Sequence, residues 1–409
     1  MNKSRPNQLC RSSSSVRHIA HLTAGLSACL SLPAAAADEL PIGDGWSRLV
    51  EVVNPYASVG YAYDSNLFRL DDAVPVADGR SDQYATVGAG FDADIRVSRQ
   101  RYELSGELNH AFYNNYDELD YTGGKAAAVW HWSAGESTTG RIGYKYRRSL
   151  RDFANQLRLD KVKDLRSENQ FLGDIDIDLP GNWKLGMRGN LADISYSDTR
   201  ALDLERTTGG AELSYVSRAG SEIGLDAEFV NGDYDVNPAA NFDEYTIGPT
   251  LDWQLTTRLK LEAKVGYTSR DVADAAREDY DDITGRIALI MADTGRSKWT
   301  ATIWRDVSNL SDEIADFALV HGISIEPSWQ LPRGLALRLH LGYENRDFPI
   351  DAPIADRQDD LYTAGASADW PFSRNVKLSV GVDLQQRSST RDLQDYDYGN
   401  VRVQIIGSL

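Results

Sequence analysis

From about residue 52 onward the chain keeps one rhythm: roughly ten to fourteen residues alternate apolar and polar, a turn follows, and the alternation resumes. Successive side chains of a strand point to opposite faces, so each stretch predicts a strand with one greasy side and one polar side. Val87, Ala89, Phe91, Ala93, Ile95 and Val97 share one side, with Gly88, Gly90, Asp92, Asp94 and Arg96 on the other. Phe171, Ile175, Ile177 and Leu179 oppose Asp174, Asp176 and Asp178 in the same way. Ile223, Leu225, Ala227 and Phe229 oppose Asp226 and Glu228, and Leu259, Leu261, Ala263, Val265 and Tyr267 oppose Lys260, Glu262 and Lys264. About 18 such stretches can be read; 16 is the other even count that fits.

Outside the leader no run approaches the roughly 20 apolar residues that a spanning helix needs. If the chain crosses a membrane, a closed barrel is what remains, because every backbone polar group must then be paired internally. Soluble sandwiches alternate too, but here hairpin follows hairpin without a linker or a helical segment. The predicted fold is therefore all-β: a single transmembrane antiparallel up-and-down barrel.

Short connections, at 98–100, 135–138, 180–182, 218–220, 294–297 and 372–375, alternate with longer acidic ones at 231–243, 271–279 and 347–360. Barrels of this class put short turns in the periplasm and long loops outside. Trp132, Trp183, Trp253, Trp299, Trp329 and Trp370 all fall near predicted short turns, as a periplasmic aromatic girdle would require. Tyr63, Tyr84, Tyr121, Tyr196, Tyr245, Tyr280, Tyr343 and Tyr362 fall near the long-loop ends and predict an outer girdle.

Composition narrows the setting. Lys3, Arg5, Arg11 and Arg17, an apolar stretch from Ile19 to Leu32 and a small-residue end predict a secretory signal over 1–37, cleaved after Ala37. A short periplasmic segment (38–51) and the barrel (52–409) would follow, in the outer membrane of a Gram-negative-type cell. The stretch from Leu26 to Cys29 also reads as a lipobox, which would instead make Cys29 a lipidated terminus. Both cysteines, Cys10 and Cys29, lie in the leader, so a chain cut at Ala37 has no disulfide framework and no thiolate metal site. Removing four basic residues and no acidic ones takes the formal charge from −18 to about −22. That balance argues against a nucleic-acid partner.

With the apolar rows in lipid, the charged rows must enclose water, because a charge facing the bilayer midplane costs about 2–4 kcal/mol. Lumen-lining candidates are Asp92, Asp94, Arg96, Arg141, Lys145, Arg147, Asp174, Asp176, Asp178, Asp226, Glu228, Asp252, Lys260, Glu262, Lys264, Arg338 and Asp383, with Trp304 as an inward aromatic platform for sugar. Most single members of such a set are wall salt bridges. The signs are mixed, which fits a neutral or mixed-charge saccharide better than a strongly anionic polymer. A barrel this wide leaves an aqueous channel unless something plugs it, and a long loop folded inward is the available plug. Catalysis is not expected: of His110, His131, His321 and His340, the first and third fall on lipid-facing rows, and none has a serine in register as a nucleophile. The acidic loops read as solvated charge, with calcium binding as the sharper alternative, and no cofactor or metal is predicted.

The segment Gly60 to Arg69, with Gly60, Tyr63, Asp64, Asn66, Phe68 and Arg69 at the matching positions, resembles the opening signature of the β-barrel porin 2 family that includes EpsL-like exopolysaccharide proteins. The resemblance covers residues 52–409. It departs at the end, where Ile405-Ile406-Gly407-Ser408-Leu409 lacks the terminal aromatic residue of many barrels. The resemblance implies an outer-membrane channel exporting an exopolysaccharide, supplied by a periplasmic polysaccharide-export partner. A general or oligosaccharide-uptake porin and a structural or adhesive surface barrel are the alternatives.

Overall fold

The computed structural model describes residues 52–76, 79–156, 162–274, 279–293, 295–309, 315, 317–349 and 357–408. The leader expected over 1–37, with Cys29, and the 38–51 segment lie outside the described residues. Eighteen strands follow in order: β1 (Val53–Asp64), β2 (Asp82–Val97), β3 (Gln100–Tyr113), β4 (Tyr121–Ala134), β5 (Thr138–Leu150), β6 (Leu165–Leu179), β7 (Trp183–Tyr196), β8 (Leu204–Val216) and β9 (Glu222–Tyr234). The second half continues with β10 (Phe242–Gln254), β11 (Leu259–Val272), β12 (Tyr280–Asp293), β13 (Ser297–Ser308), β14 (Ala318–Gln330), β15 (Ala336–Phe348), β16 (Arg357–Pro371), β17 (Val376–Ser389) and β18 (Tyr396–Ser408). Each pairs with its sequence neighbours, and β1 closes antiparallel on β18 from Tyr56 opposite Ser408 to Asp64 opposite Asn400. Closure removes both sheet edges, so the backbone of the wall is hydrogen-bonded all round, as hydrocarbon demands.

The registers carry a single parity around the wall. Ala62 stands opposite Tyr84, Tyr84 opposite Tyr113, and Ala111 opposite Tyr121, and the same face passes on through β18 back to β1. One set of alternate positions thus points inward everywhere. The other set is apolar and uncovered: Val59, Leu108, Ile142, Leu191, Ile223, Ile283, Leu341 and Ile405 are all exposed large hydrophobics. An apolar belt of that extent in water would be an aggregation surface, whereas in acyl chains it is the solvent match.

Turns separate the two rims. Residues 98–99, 135–137 and 180–182 connect their strands tightly, and Gly181 and Asn182 take φ of 80° and 66° to do so. At this rim Trp132, Trp183, Trp253, Trp299, Trp329 and Trp370 all stand on the outward parity. Several are paired: Trp299 meets Trp329 edge-on at 5.7 Å, and Trp183 meets Tyr215 at 5.6 Å. Trp130, also outward, stacks on Tyr102.

The outer tyrosine girdle is only half as expected. Tyr63, Tyr245, Tyr343 and Tyr362 face out, but Tyr84, Tyr121, Tyr196 and Tyr280 take the inward parity. Distance from a loop fixes height along a strand, while register fixes the face, and a one-residue difference in parity turns the ring inward. The long connections are also shorter than the sequence suggests. β9 runs to Tyr234 and β10 starts at Phe242, while β15 runs to Phe348 and β16 starts at Arg357. Acidic residues such as Asp243, Asp347 and Asp360 therefore belong to strand ends.

Candidate functional site: the channel lumen

Inward parity brings all the candidate lumen residues onto one surface, and most of the charges there are neutralised by neighbours. Arg101 grips Asp94 with two hydrogen bonds of 2.9 and 2.8 Å, and Arg96 approaches the same carboxylate at 3.6 Å. Arg141 pairs with Asp174 across β5 and β6, and Lys184 reaches Asp176 at 3.3 Å. Lys260 lies between Asp252 at 2.8 Å and Glu262 at 2.6 Å. Arg338 holds Asp369, and Arg402 holds Asp383, each at 2.5 Å. Asp92, Lys145, Arg147 and Asp178 are inward by register too.

The densest group skips strands. Arg188 on β7 donates to Asp226 at 2.6 and 2.9 Å and to Glu228 at 2.5 and 3.2 Å, both on β9, passing over β8. Lys264 on β11 reaches the same Asp226 at 2.6 Å. Gly210 makes the first crossing feasible, since a Cβ there would sit 2.7 Å from the Arg188 guanidinium carbon. Two cations and two carboxylates cancel, so this wall is polar and stiff but carries little net field. Arg188, Arg101, Asp306, Asp369 and Arg402 were not among the sequence candidates. The signal that would have found them is the parity already used for their partners, extended along the same strands.

Large inward side chains lie flat where a glycine faces them. The Tyr56 ring covers Gly90, the Arg402 side chain covers Gly381, and the Trp304 indole covers Gly322 so closely that a Cβ there would stand 2.1 Å from the ring. Flattening keeps bulky groups against the wall and leaves the centre of the barrel to water.

At the long-loop rim the mouth is partly closed. Loop L1 (65–81) begins with the family signature, which is a set of internal fastenings. Arg69, at φ 55°, sends two hydrogen bonds of 2.8 and 2.9 Å into the Asp64 carboxylate, and its guanidinium lies 3.4 Å over the Tyr398 ring. Burial alone would lower the Arg69 pKa, but Asp64 and Asp152 outweigh it and raise it. Asn66 donates to the carbonyls of Leu70 and Asp397 and accepts from the Leu70 amide, tying the loop to itself and to β18. Phe68 then projects into a buried cluster with Leu67, Leu70, Val74, Tyr116, Leu119 and Phe153, which joins L1 to loops L2 (114–120) and L3 (151–164). Ring contacts of 4.7 Å to Tyr116 and 5.1 Å to Phe153 fix it there.

L3 goes farther. Its base is pinned by the buried Arg151–Asp164 pair at 3.4 Å, and the carbonyl of Ala154 accepts a 2.8 Å hydrogen bond from Arg387 on β17. β18, β1, β2, β3 and β4 lie between β17 and β5 in the ladder, and L3 reaches Arg387 over L1 and L2, the loops that β1–β4 carry. Arg387 also donates to the carbonyl and side chain of Gln394 at 2.7 and 3.1 Å. Elsewhere on this rim Phe242, Ile194, Tyr196 and Leu204 form one buried cluster, and Ala315, Ala318, Val320 and Phe348 another.

The histidines are dispersed. His131 faces Glu103 at 3.4 Å, His340 faces Glu326 at 3.6 Å and Thr363 at 3.1 Å, and His110 is outward beside Thr122. Among the described residues no group of three or more histidine, cysteine or acidic side chains is placed to hold a metal ion.

With this architecture in view, the family described as "Putative beta-barrel porin 2" matches residues 52–407. The chain belongs to that family. No curated protein matches it in sequence. Among solved structures it is similar to Pseudomonas aeruginosa OccK1 (OpdK), at 13% identity and a TM-score of 0.50, covering 88% of this chain and 99% of that one. Pseudomonas aeruginosa OccK9 (OpdG) is similar at 11% identity, with the same TM-score and the same coverage of each chain. A structure of OpdK with vanillate matches at 12% and 0.50, again over 88% and 99%. At such identities the likeness concerns the fold: an outer-membrane barrel of porin type. The family is the one the opening signature pointed to, but nothing in these matches carries the exopolysaccharide part of that resemblance.

Proposed function

We propose that this barrel is a passive uptake channel for small polar solutes, not an exporter of polymer. The observation that carries this reading is the mouth: L1, L2 and L3 pack into one buried cluster, L1 is fastened through Asp64 and Arg69 and L3 to Arg387, so solutes enter through the gaps these loops leave. A growing polysaccharide would have to thread those gaps continuously. A solute of one to a few sugar-sized units could pass them by diffusion. The neutralised, hydrated wall supports the same reading, because it offers hydrogen bonds to many polar solutes without trapping ions of one sign. On this reading no periplasmic export partner is needed.

The refolded chain in planar bilayers should show stable ion conductance, and in liposomes it should admit small sugars while excluding long ones. A strain lacking the protein should secrete polysaccharide normally and take up a class of small solute more slowly. Lost secretion with periplasmic accumulation of polymer would overturn the proposal in favour of export.

A further inference from the structure

Trp304 is the inward aromatic residue that the wall network leaves with a distinct task. Its indole rests on the Gly322 backbone, and it packs beside the cluster of Ala315, Ala318, Val320 and Phe348 just below the mouth. The residue is half-buried and stands on the inward parity of β13. Two neutralised ion pairs adjoin it: Arg286 to Asp306 at 2.7 Å, with the Arg286 guanidinium over the ring at 5.1 Å from its centroid, and Arg346 to Glu344 at 2.5 Å, with Glu344 in register opposite Gly322. From these features we infer that the Trp304 shelf is a binding site for a neutral saccharide ring, a reading that rests on the channel function proposed above.

The chemistry follows from the two kinds of surface. A pyranose has an apolar face of C–H groups that stacks on an indole, and hydroxyls around its rim that both donate and accept. Asp306 and Glu344 accept, while Arg286 and Arg346 donate, so the surroundings of the indole offer a hydroxyl rim both kinds of partner. Balanced charge disfavours an anionic ligand, because a carboxylate brought to the shelf meets Asp306 and Glu344 as well as the arginines. Gly322 is part of the site: any side chain there would push the indole off the wall and into the solute path.

The test uses the full refolded barrel in planar bilayers, with maltotriose and cellotriose as probes, mannitol as an acyclic polyol and vanillate as an aromatic carboxylate. Trisaccharides should interrupt the current transiently, and the frequency and length of the interruptions give a dissociation constant. Trp304→Leu, which keeps apolar volume against Ala318 and Val320, should weaken trisaccharide binding about tenfold, while Trp304→Phe should retain most of it. The inference is overturned if a conducting wild-type channel shows no block by either trisaccharide. It is equally overturned if Trp304→Leu blocks as well as wild type, or if mannitol or vanillate alone gives the block. A barrel that conducts nothing overturns the channel reading itself, and the saccharide site with it.

Discussion

Replacing Arg69 with methionine tests whether the family signature is a mechanical latch. Methionine keeps most of the stem and removes the guanidinium. That change deletes two charge-assisted hydrogen bonds to Asp64 and the contact over Tyr398, and it strips a carboxylate of only 3% exposure of its counter-charge. Breaking one side of a buried pair costs about 3–5 kcal/mol. The eighteen-strand ladder does not depend on this pair, so the cost falls on L1, which escapes it by swinging into water and letting Asp64 hydrate. The docked-to-undocked ratio of L1 should fall by a factor on the order of 10² to 10⁴. Two assays read the outcome: nicking within residues 65–81 by an added protease, and single-channel conductance, which should become larger and noisier. Asp64→Asn combined with Arg69→Met should cost far less than the sum of the two single changes, since each already removes the same interaction. Unaltered nicking and unaltered conductance in Arg69→Met, or strict additivity in the double variant, would refute the latch.

Three further outcomes follow from the same geometry. Arg387→Ala removes the donor to Ala154 and both bonds to Gln394, so L3 should loosen and the mean open-channel conductance should rise; equal conductance would mean that L3 does not narrow the path. Leu341→Arg places a charge on the outward face in mid-strand and should cost about 2–4 kcal/mol of folding into liposomes, whereas the inward neighbour His340→Arg should cost well under half of that. Equal penalties would show the two faces to be misassigned. Asp226→Ala leaves Arg188 and Lys264 facing Glu228 alone, a net positive charge on the wall, so the reversal potential in a salt gradient should shift toward anion preference, and an unmoved potential would place this cluster off the ion path.

Much of the barrel is legible in the sequence because its two solvents sit on opposite sides of each strand. Alternation at period two, as in Leu259 to Tyr267 against Lys260 to Lys264, is enforced at nearly every wall position, since a slip of one residue would turn every charge into lipid. The lumen set is readable for the same reason: once Asp92 is placed inward, Asp94 and Arg96 follow, and the antiparallel ladder hands the parity on to β3. Tryptophan positions are readable because the indole is tied to a height in the bilayer and to the outward face together. Tyrosine is not tied in that way. Tyr63 and Tyr84 are both near the same rim, yet one meets lipid and the other packs inside, because a phenol is acceptable in either setting.

What the sequence hides is what depends on contacts between distant residues. Arg188 and Asp226 are separated by a whole strand, and nothing in either stretch announces that Gly210 will leave room for their meeting. The signature from Gly60 to Arg69 could be recognised as a resemblance, but its letters do not say whether Asp64 and Arg69 face a solute or each other. The structure answers that they face each other, with Asn66 tying the turn and Phe68 carrying it into the rings of Tyr116 and Phe153. Every polar atom the signature commits in this way is one fewer available to a passing solute. On the proposed reading selectivity then falls to the wall below, where Trp304 stands on the inward parity beside two ion pairs. On the proposed channel reading the signature governs how far the mouth opens and the wall what lingers after passing it, so substitutions in the two regions should separate conductance from solute affinity.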